Sequence, residues 1–345
     1  MEKKIERRLS YFPRTRFMGS KQKLLPFIYT NVKNIKGEKI LDAFSGSACV
    51  AYLFKAMGKE VHTNDFMKYC YTLAKATVEN NNITLDQSDI DTIFQKTYNH
   101  KTFINDNFDK LFFNKKDNLF LDRTYSNIQN IKNQYKHALA LSALARACIK
   151  KRPRGIFTYT GDRYDDGRRD LRISFEEQLF ESIEVFNKSI FNNRMKNKSF
   201  NKDIFKLPYE DYDIVYIDPP YFTPLSDNDY SRRYHFVEGL MSYWTHVQIN
   251  HKTKTKKFNK FSTPFDSRET VYDAFDQLFN KFQNSTYIVS YSSNSFPTLE
   301  EMILKMKKYK SKVKVTQLNH RYSFGTQRSN IKRNKVDEYL FIGAD

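Results

Sequence analysis

Cysteine is scarce in this 345-residue chain, where Cys49, Cys70 and Cys148 stand far apart and odd in number. That excludes a disulfide framework and a cysteine-based zinc site. It fits three small buried hydrophobes in a reducing compartment. The seven histidines show no ligand spacing, so no metal site is indicated. No apolar run approaches the ~20 residues needed to cross a bilayer. The charged start Met1-Glu2-Lys3-Lys4 lacks the apolar core of a leader. The chain reads as a soluble intracellular protein.

Acid is the other shortage. Against 58 Lys and Arg stand 39 Asp and Glu, a formal charge of +19 with a pI near 9.5. Such a balance points to a polyanionic partner. The imbalance is also clustered. Arg146 to Arg172 holds nine Lys/Arg against four Asp, and Lys252 to Lys260 holds five lysines and no acid. Met302 to Val336 holds eleven Lys/Arg and again no acid.

What is present is most informative at Asp218-Pro219-Pro220-Tyr221. The preceding Ile214-Val215-Tyr216-Ile217 is short, apolar and β-branched, as a buried parallel strand is. Two prolines must end that strand, because neither can donate to a ladder. The chain so leaves the sheet at its carboxyl edge, where open α/β sheets bind ligands, carrying a carboxylate, a rigid carbonyl and an aromatic face. A carboxylate and a carbonyl side by side accept both hydrogens of one planar amino group, and an adjacent ring stacks on the heterocycle that bears it.

Upstream, Lys39-Ile40-Leu41-Asp42 reads as a strand. A turn of small residues follows (Ala43-Phe44-Ser45-Gly46-Ser47-Ala48), then an amphipathic helix from Cys49. This is a Gly-rich nucleotide-binding arrangement, in which backbone amides and a helix start approach the ligand. Some twenty residues on, Asp65 ends a second expected strand, an offset that suits a pair of ribose hydroxyls.

The order of these motifs resembles the adenine-specific DNA methyltransferases of the Dam-like, D12 type in their α arrangement. Arg16-Phe17-Met18-Gly19-Ser20-Lys21 is similar to that family's N-terminal cofactor motif, and Asn201-Lys202-Asp203-Ile204-Phe205 to its acidic motif before the catalytic strand. Ala48 departs from the pattern, standing where the family has glycine. That last glycine chiefly permits close helix packing, so one methyl should be tolerated.

The resemblance implies a Rossmann-like α/β sheet that binds S-adenosylmethionine, formed by residues 1–85 and 200–345. A mostly helical target-recognition domain would occupy 86–199. It implies Asp218, Pro219, Pro220 and Tyr221 as catalytic residues. Phe17, Met18, Gly19, Lys21, Asp42, Phe44, Gly46, Ser47, Asp65, Asp203 and Ile204 would surround the cofactor, with Asp65 on the ribose and Asp203 on the adenine amine. A base inside a duplex cannot present its amine, so the adenine would be flipped into the pocket. No covalent enzyme intermediate is needed.

Gly, aromatic and Arg residues alternate through 150–169, as in a loop or hairpin laid against double-stranded DNA. Arg152, Arg154, Tyr159, Arg163, Tyr164, Arg168 and Arg169 are the contacts expected there. Arg232 and Arg233 are expected from the polar loop 223–234, which should be no regular element. Residues 136–145 should be helical, 286–291 a strand, and 313–318 with 338–342 a terminal hairpin. Helix 236–244 reads as core packing alone. A monomer in the bacterial cytosol or nucleoid is expected, with a cognate restriction endonuclease as a further partner. RNA adenine, cytosine's exocyclic amine, a glutamine amide, and a DNA-binding subunit with a vestigial fold remain open.

Overall fold

The computed structural model describes all residues except 162–164, 166, 221, 223–229, 260 and 322–334. Its described strands form one seven-stranded sheet in the order β3-β2-β1-β4-β5-β7-β6. They are β1 (Lys39–Asp42), β2 (Glu60–Asn64), β3 (Lys198–Phe200), β4 (Ile214–Ile217), β5 (Thr286–Ser292), β6 (Lys312–Arg321) and β7 (Lys335–Ala344). The first five are mutually parallel, whereas β7 runs antiparallel to both β5 and β6. This is the doubly wound α/β order with a hairpin added at one edge.

Alternation along the strands sends their side chains to two cores. Ile40, Ile214, Tyr216, Ile288 and Leu340 pack on one face with α1 (Lys3–Ser10), α2 (Leu25–Val32) and α3 (Cys49–Ala56). Leu41, Val215, Ile217, Tyr287, Val289 and Phe341 face two helices from the second half of the chain. Burying both faces explains why β4 is apolar throughout rather than alternating.

After β2 comes α4 (Lys68–Ala74). Six α-helices follow among the described residues before β3: α5 (Gln87–Phe94), α6 (Phe103–Phe108), α7 (Lys115–Ile128), α8 (Gln134–Lys150), the one-turn α9 (Arg169–Arg172) and α10 (Phe175–Ser189). The expected helix over 136–145 is the middle of α8. Asn133 caps its start by accepting from Tyr135 and Lys136 amides. The helical core also draws in Tyr69 and Cys70 of α4, and Phe236, Val237 and Trp244 from beyond the catalytic motif. It therefore shares residues with both flanks of 86–199.

After β4 come α11 (Tyr230–Arg233) and α12 (His235–Leu240). The short α11 corrects the expectation that 223–234 holds no element, at least for its last residues. Tyr230 supplies the reason, because its half-buried ring packs beside Phe17, 6.1 Å away, and anchors the turn. The helix expected to run to Trp244 stops early. Tyr243 and Trp244 take left-handed φ of 52° and 61°, and the Trp244 amide donates back to Gly239. Helices α13 (Arg268–Lys281) and α14 (Leu299–Lys307) cover the second sheet face. The terminal hairpin is present, with Val313 opposite Gly343 and Leu318 opposite Glu338.

Candidate active site

Strands β1 and β4 are neighbours whose connections depart to opposite sides, so a crevice opens between their carboxyl ends. Asp42 pairs in register with Tyr216 on one side and Thr63 on the other, which brings three strand ends to one level. The βα turn is then tied across the crevice. Ala43 donates to the Tyr216 carbonyl at 3.0 Å and Ser45 to the Asn64 carbonyl at 2.9 Å.

Asp65 fixes the turn from the β2 side. Its Oδ2 accepts from the Gly46 amide and its Oδ1 from the Met67 amide, both at 2.9 Å. Burial pushes this carboxyl up to about 6, although both amides favour its charged form. A Cβ on Gly46 (φ 49°) would lie 3.3 Å from the Phe17 ring, so the N-terminal motif packs directly on the turn. Phe17 in turn stacks on Tyr234 at 5.0 Å, and the Tyr234 hydroxyl accepts from the Met18 amide.

Lys21 is the most consequential placement. It is 3% exposed, and its Nζ donates to Asp218 Oδ1 at 2.8 Å, with Asp218 16% exposed. Sequence reading gave Lys21 to the cofactor. Its Nζ meets the Asp218 carboxylate, across 197 residues of chain, and the Gly19 carbonyl at 3.4 Å. An ionised carboxylate offers about four acceptor positions, and Lys21 occupies one of them.

One cleft of about 840 Å³, counting the space at its mouth, joins these parts. Phe17, Met18, Gly19, Lys21, Asp42, Phe44, Gly46, Ser47, Asp65, Asp218, Pro219 and Pro220 all line it, as do the unexpected Tyr230, Ser231, Phe261 and Thr263. Tyr221 lies outside the described residues. On the cleft wall, Asp42 Oδ1 and Ser45 Oγ are buried with no hydrogen-bond partner among the described residues. Burial, with Asp218 and Asp65 nearby, holds the Asp42 carboxyl well above the usual carboxylate range. Two buried oxygens left open in this way can accept hydrogen bonds from a ligand.

Two expected cofactor residues are not in the cleft. Asp203 is exposed and caps the turn Ile204–Lys206, accepting from the Phe205 amide at 3.0 Å. Ile204 is buried in the sheet core against the second face. The motif meets the site through Asn201 instead, whose Nδ2 donates to the carbonyls of Asp65 and Phe66 at 2.9 Å. An amide can grip two carbonyls of a neighbouring strand end and a carboxylate cannot, which is the signal that was overlooked.

Ala48 also needs a different account from close packing. It sits at φ 62°, ψ 14° at the start of α3, a left-handed conformation, so glycine would fit there for backbone reasons.

Glu238 was read as ordinary core. It is 2% exposed, and its two oxygens accept from the Lys68 and Tyr69 amides at 2.9 and 2.8 Å. It thereby caps α4, the helix that follows Asp65. A lone acid inside the apolar run 236–241 was the available clue.

The basic loop is arranged less simply than expected. Arg152 is 0% exposed, which removes it as a phosphate contact. Its guanidinium donates to the carbonyls of Phe112, Tyr159 and Gly161, so it braces the loop from inside. Arg168 pairs with Asp170, and Arg169 with Glu177 and Glu181, which already offsets their charge. Tyr159 donates its hydroxyl to the Pro153 carbonyl, and Arg154 is half-buried. Arg163 and Tyr164 lie outside the described residues. The loop is tied to α11, which carries the half-buried Arg232 and Arg233. The Phe157 amide donates to the Arg233 carbonyl, and the His235 ring meets the Phe157 carbonyl at 2.9 Å. Burial lowers His235 to about 3, which leaves it neutral.

Comparison with known proteins agrees with this geometry. Residues 17–292 match the family described as D12 class N6 adenine-specific DNA methyltransferase. The chain is 28% identical to the Type II methyltransferase M2.HphI of Haemophilus parahaemolyticus, over 96% of this chain and 97% of that protein. It is 27% identical to the Type II methyltransferase M.FokI of Planomicrobium okeanokoites and 27% identical to the modification methylase StsI of Streptococcus sanguinis. Each of those matches takes in 94% of this chain but only 55% and 51% of the relatives' own lengths.

Ala48→Gly relieves the left-handed backbone at the α3 start and should stabilise the fold by about 1 kcal/mol in urea denaturation. An unchanged or lower midpoint would show that the methyl contributes packing that outweighs the backbone cost.

Proposed function

We propose, for a chain that belongs to the D12 class N6 adenine-specific DNA methyltransferase family, that the cleft between β1 and β4 methylates the N6 amine of an adenine flipped out of double-stranded DNA. The observation that carries this reading is the single cleft. It joins the Asp218-Pro219 edge to the Gly46 turn and Asp65, so a base and a donor can meet face to face.

The residues suit S-adenosylmethionine. Asp42 and Ser45 offer unsatisfied acceptors to its ammonium group, the Gly46 turn permits close approach, and Asp65 presents a carboxylate to ribose hydroxyls. That cofactor supplies a methyl group carried on a positively charged sulfur, which leaves as a neutral thioether.

The chain's own work is positioning and charge placement. Asp218 and the Pro219 carbonyl accept the two amine hydrogens, which draws the nitrogen lone pair out of conjugation with the ring. Lys21 holds the carboxylate in place and compensates its charge in a largely buried setting. As the nitrogen gains its new bond it becomes cationic, and Asp218 stabilises that charge until the surplus proton leaves. Tyr221 is assigned to stacking on the base. Adenine must leave the duplex for this, at a cost of a few kcal/mol that basic surface contacts with the phosphates offset.

For phosphate contact, Arg154, Arg232 and Arg233 remain assigned, with Arg152 withdrawn. The relatives are named as Type II methyltransferases and modification methylases. By that analogy the chain protects DNA against a cognate endonuclease, acting as a monomer in the bacterial cytosol or nucleoid.

Asp218→Ala should abolish methyl transfer to DNA, by at least about 10³-fold. Cofactor affinity measured by calorimetry should stay within about threefold. Turnover like that of the unsubstituted protein would overturn the assignment. Chromatography of the bases in modified plasmid should yield N6-methyladenine and neither methylcytosine nor unmodified DNA.

Cofactor affinity should also depend on pH. The Asp65 carboxyl lies near 6, and ribose hydroxyls donate to its ionised form. Binding therefore strengthens as pH rises through about 6, by up to about tenfold per unit below it, and levels off above 7. Asp65→Asn should flatten that profile. A flat profile between pH 5 and 7 in the unsubstituted protein would contradict the role given to Asp65.

A further inference from the structure

Two aromatic rings stand exposed at the mouth of the cleft, Phe66 at 37% and Phe261 at 40%. Their centroids are 6.2 Å apart and their planes nearly perpendicular. Phe66 comes from the end of β2 beside Asp65. Phe261 comes from the connection between α12 and α13, which no motif of the sequence covers. A single exposed ring needs no explanation, but two together at the rim of the cleft offer an apolar seat for a flat heterocycle.

Phe261 is mechanically connected to a charged element. Its ring packs on Phe258 at 5.3 Å, and Phe258 is buried against the neutral His235 ring at 6.2 Å. Phe258 pairs with Ile249 in an antiparallel bridge. Between these two the backbone folds tightly on itself. Asn250 donates to the Lys257 carbonyl at 2.7 Å, Thr253 to the Asn250 carbonyl at 3.1 Å, and the Lys257 amide to Thr253 Oγ1 at 2.9 Å. That turn carries Lys252, Lys254, Lys256 and Lys257, with Lys252 and Lys254 exposed. No acidic residue occurs between Glu238 and Asp266. The ring at the cleft mouth and the lysine turn are therefore two ends of one short, internally bonded unit.

We infer that Phe261 is a cofactor-binding residue, packing on the adenine ring at the cleft mouth, and that this contact fixes the lysine turn against DNA phosphates. Cofactor and DNA then bind with positive coupling. Each raises the affinity of the other by the same factor, as linkage requires. The inference rests on the proposed function, since it takes the cleft as the cofactor's site.

The test uses S-adenosylhomocysteine, which carries the same adenosine and cannot transfer a methyl group, together with a fluorescent DNA duplex. Phe261→Ala should weaken S-adenosylhomocysteine roughly three- to tenfold in calorimetry, the range an aromatic contact gives. In the unsubstituted protein, saturating S-adenosylhomocysteine should tighten duplex binding in fluorescence anisotropy. That gain should vanish in Phe261→Ala and persist in Phe261→Trp. Lys252→Ala with Lys254→Ala should lower duplex affinity and reduce the slope of log affinity against log salt by roughly 1.8, two phosphates' worth. Equal S-adenosylhomocysteine affinity in Phe261→Ala and the unsubstituted protein, or an undiminished gain in duplex affinity, overturns the inference and leaves the proposed function standing. Failure of the unsubstituted protein to bind S-adenosylhomocysteine at all overturns both.

Discussion

A buried ion pair between Lys21 and Asp218 is the contact on which the site depends. Taking both charges out of water costs several kcal/mol, and their attraction repays it only when the geometry is good. At 2.8 Å the geometry is good. The pair fastens the N-terminal motif to the end of β4, and in doing so places Phe17 over the Gly46 turn and Met18 against Tyr234. Without Asp218 the N-terminal motif is still held by the Met18 amide on the Tyr234 hydroxyl and by the Phe17 ring on Tyr234.

The same economy appears on the other side of the cleft. Asp65 bonds the Gly46 and Met67 amides, Asn201 grips the carbonyls of Asp65 and Phe66, and Glu238 caps α4 immediately beyond. Each is a polar side chain satisfying backbone groups left open where a strand ends or a helix begins. Glu238 arrives from α12, whose apolar residues belong to the helical core. The helical layer is thus coupled to the start of α4, next to the cleft, through a carboxylate.

The sheet was legible because its signals are local. Apolar runs such as 214–217, the small-residue turn after β1 and the hairpin at the end all obey periods that a reader can count. The catalytic tetrapeptide was legible because proline restricts its own backbone and that of its neighbour. What stayed hidden depends on which way a side chain faces. Arg152 looked like a phosphate ligand because arginine beside glycine and tyrosine usually is one, yet it turns inward to bond three backbone carbonyls. Asp203 follows from the motif's resemblance alone, whereas the side chain of that motif that reaches the β2 end is the donor Asn201. Lys21 reads from its motif as a cofactor residue, and its contact with Asp218, 197 positions away, lies beyond any spacing rule.

The central claim is that donor and base share the one cleft between the β1 turn and the β4 edge. Amide hydrogen exchange with and without S-adenosylmethionine tests it most directly, because bound ligand slows exchange where it covers or rigidifies backbone. Slowed exchange confined to residues 17–21, 44–47, 65–67 and 218–222 is the result predicted. Protection centred instead within residues 86–199, with the β1 turn unchanged, would contradict the account.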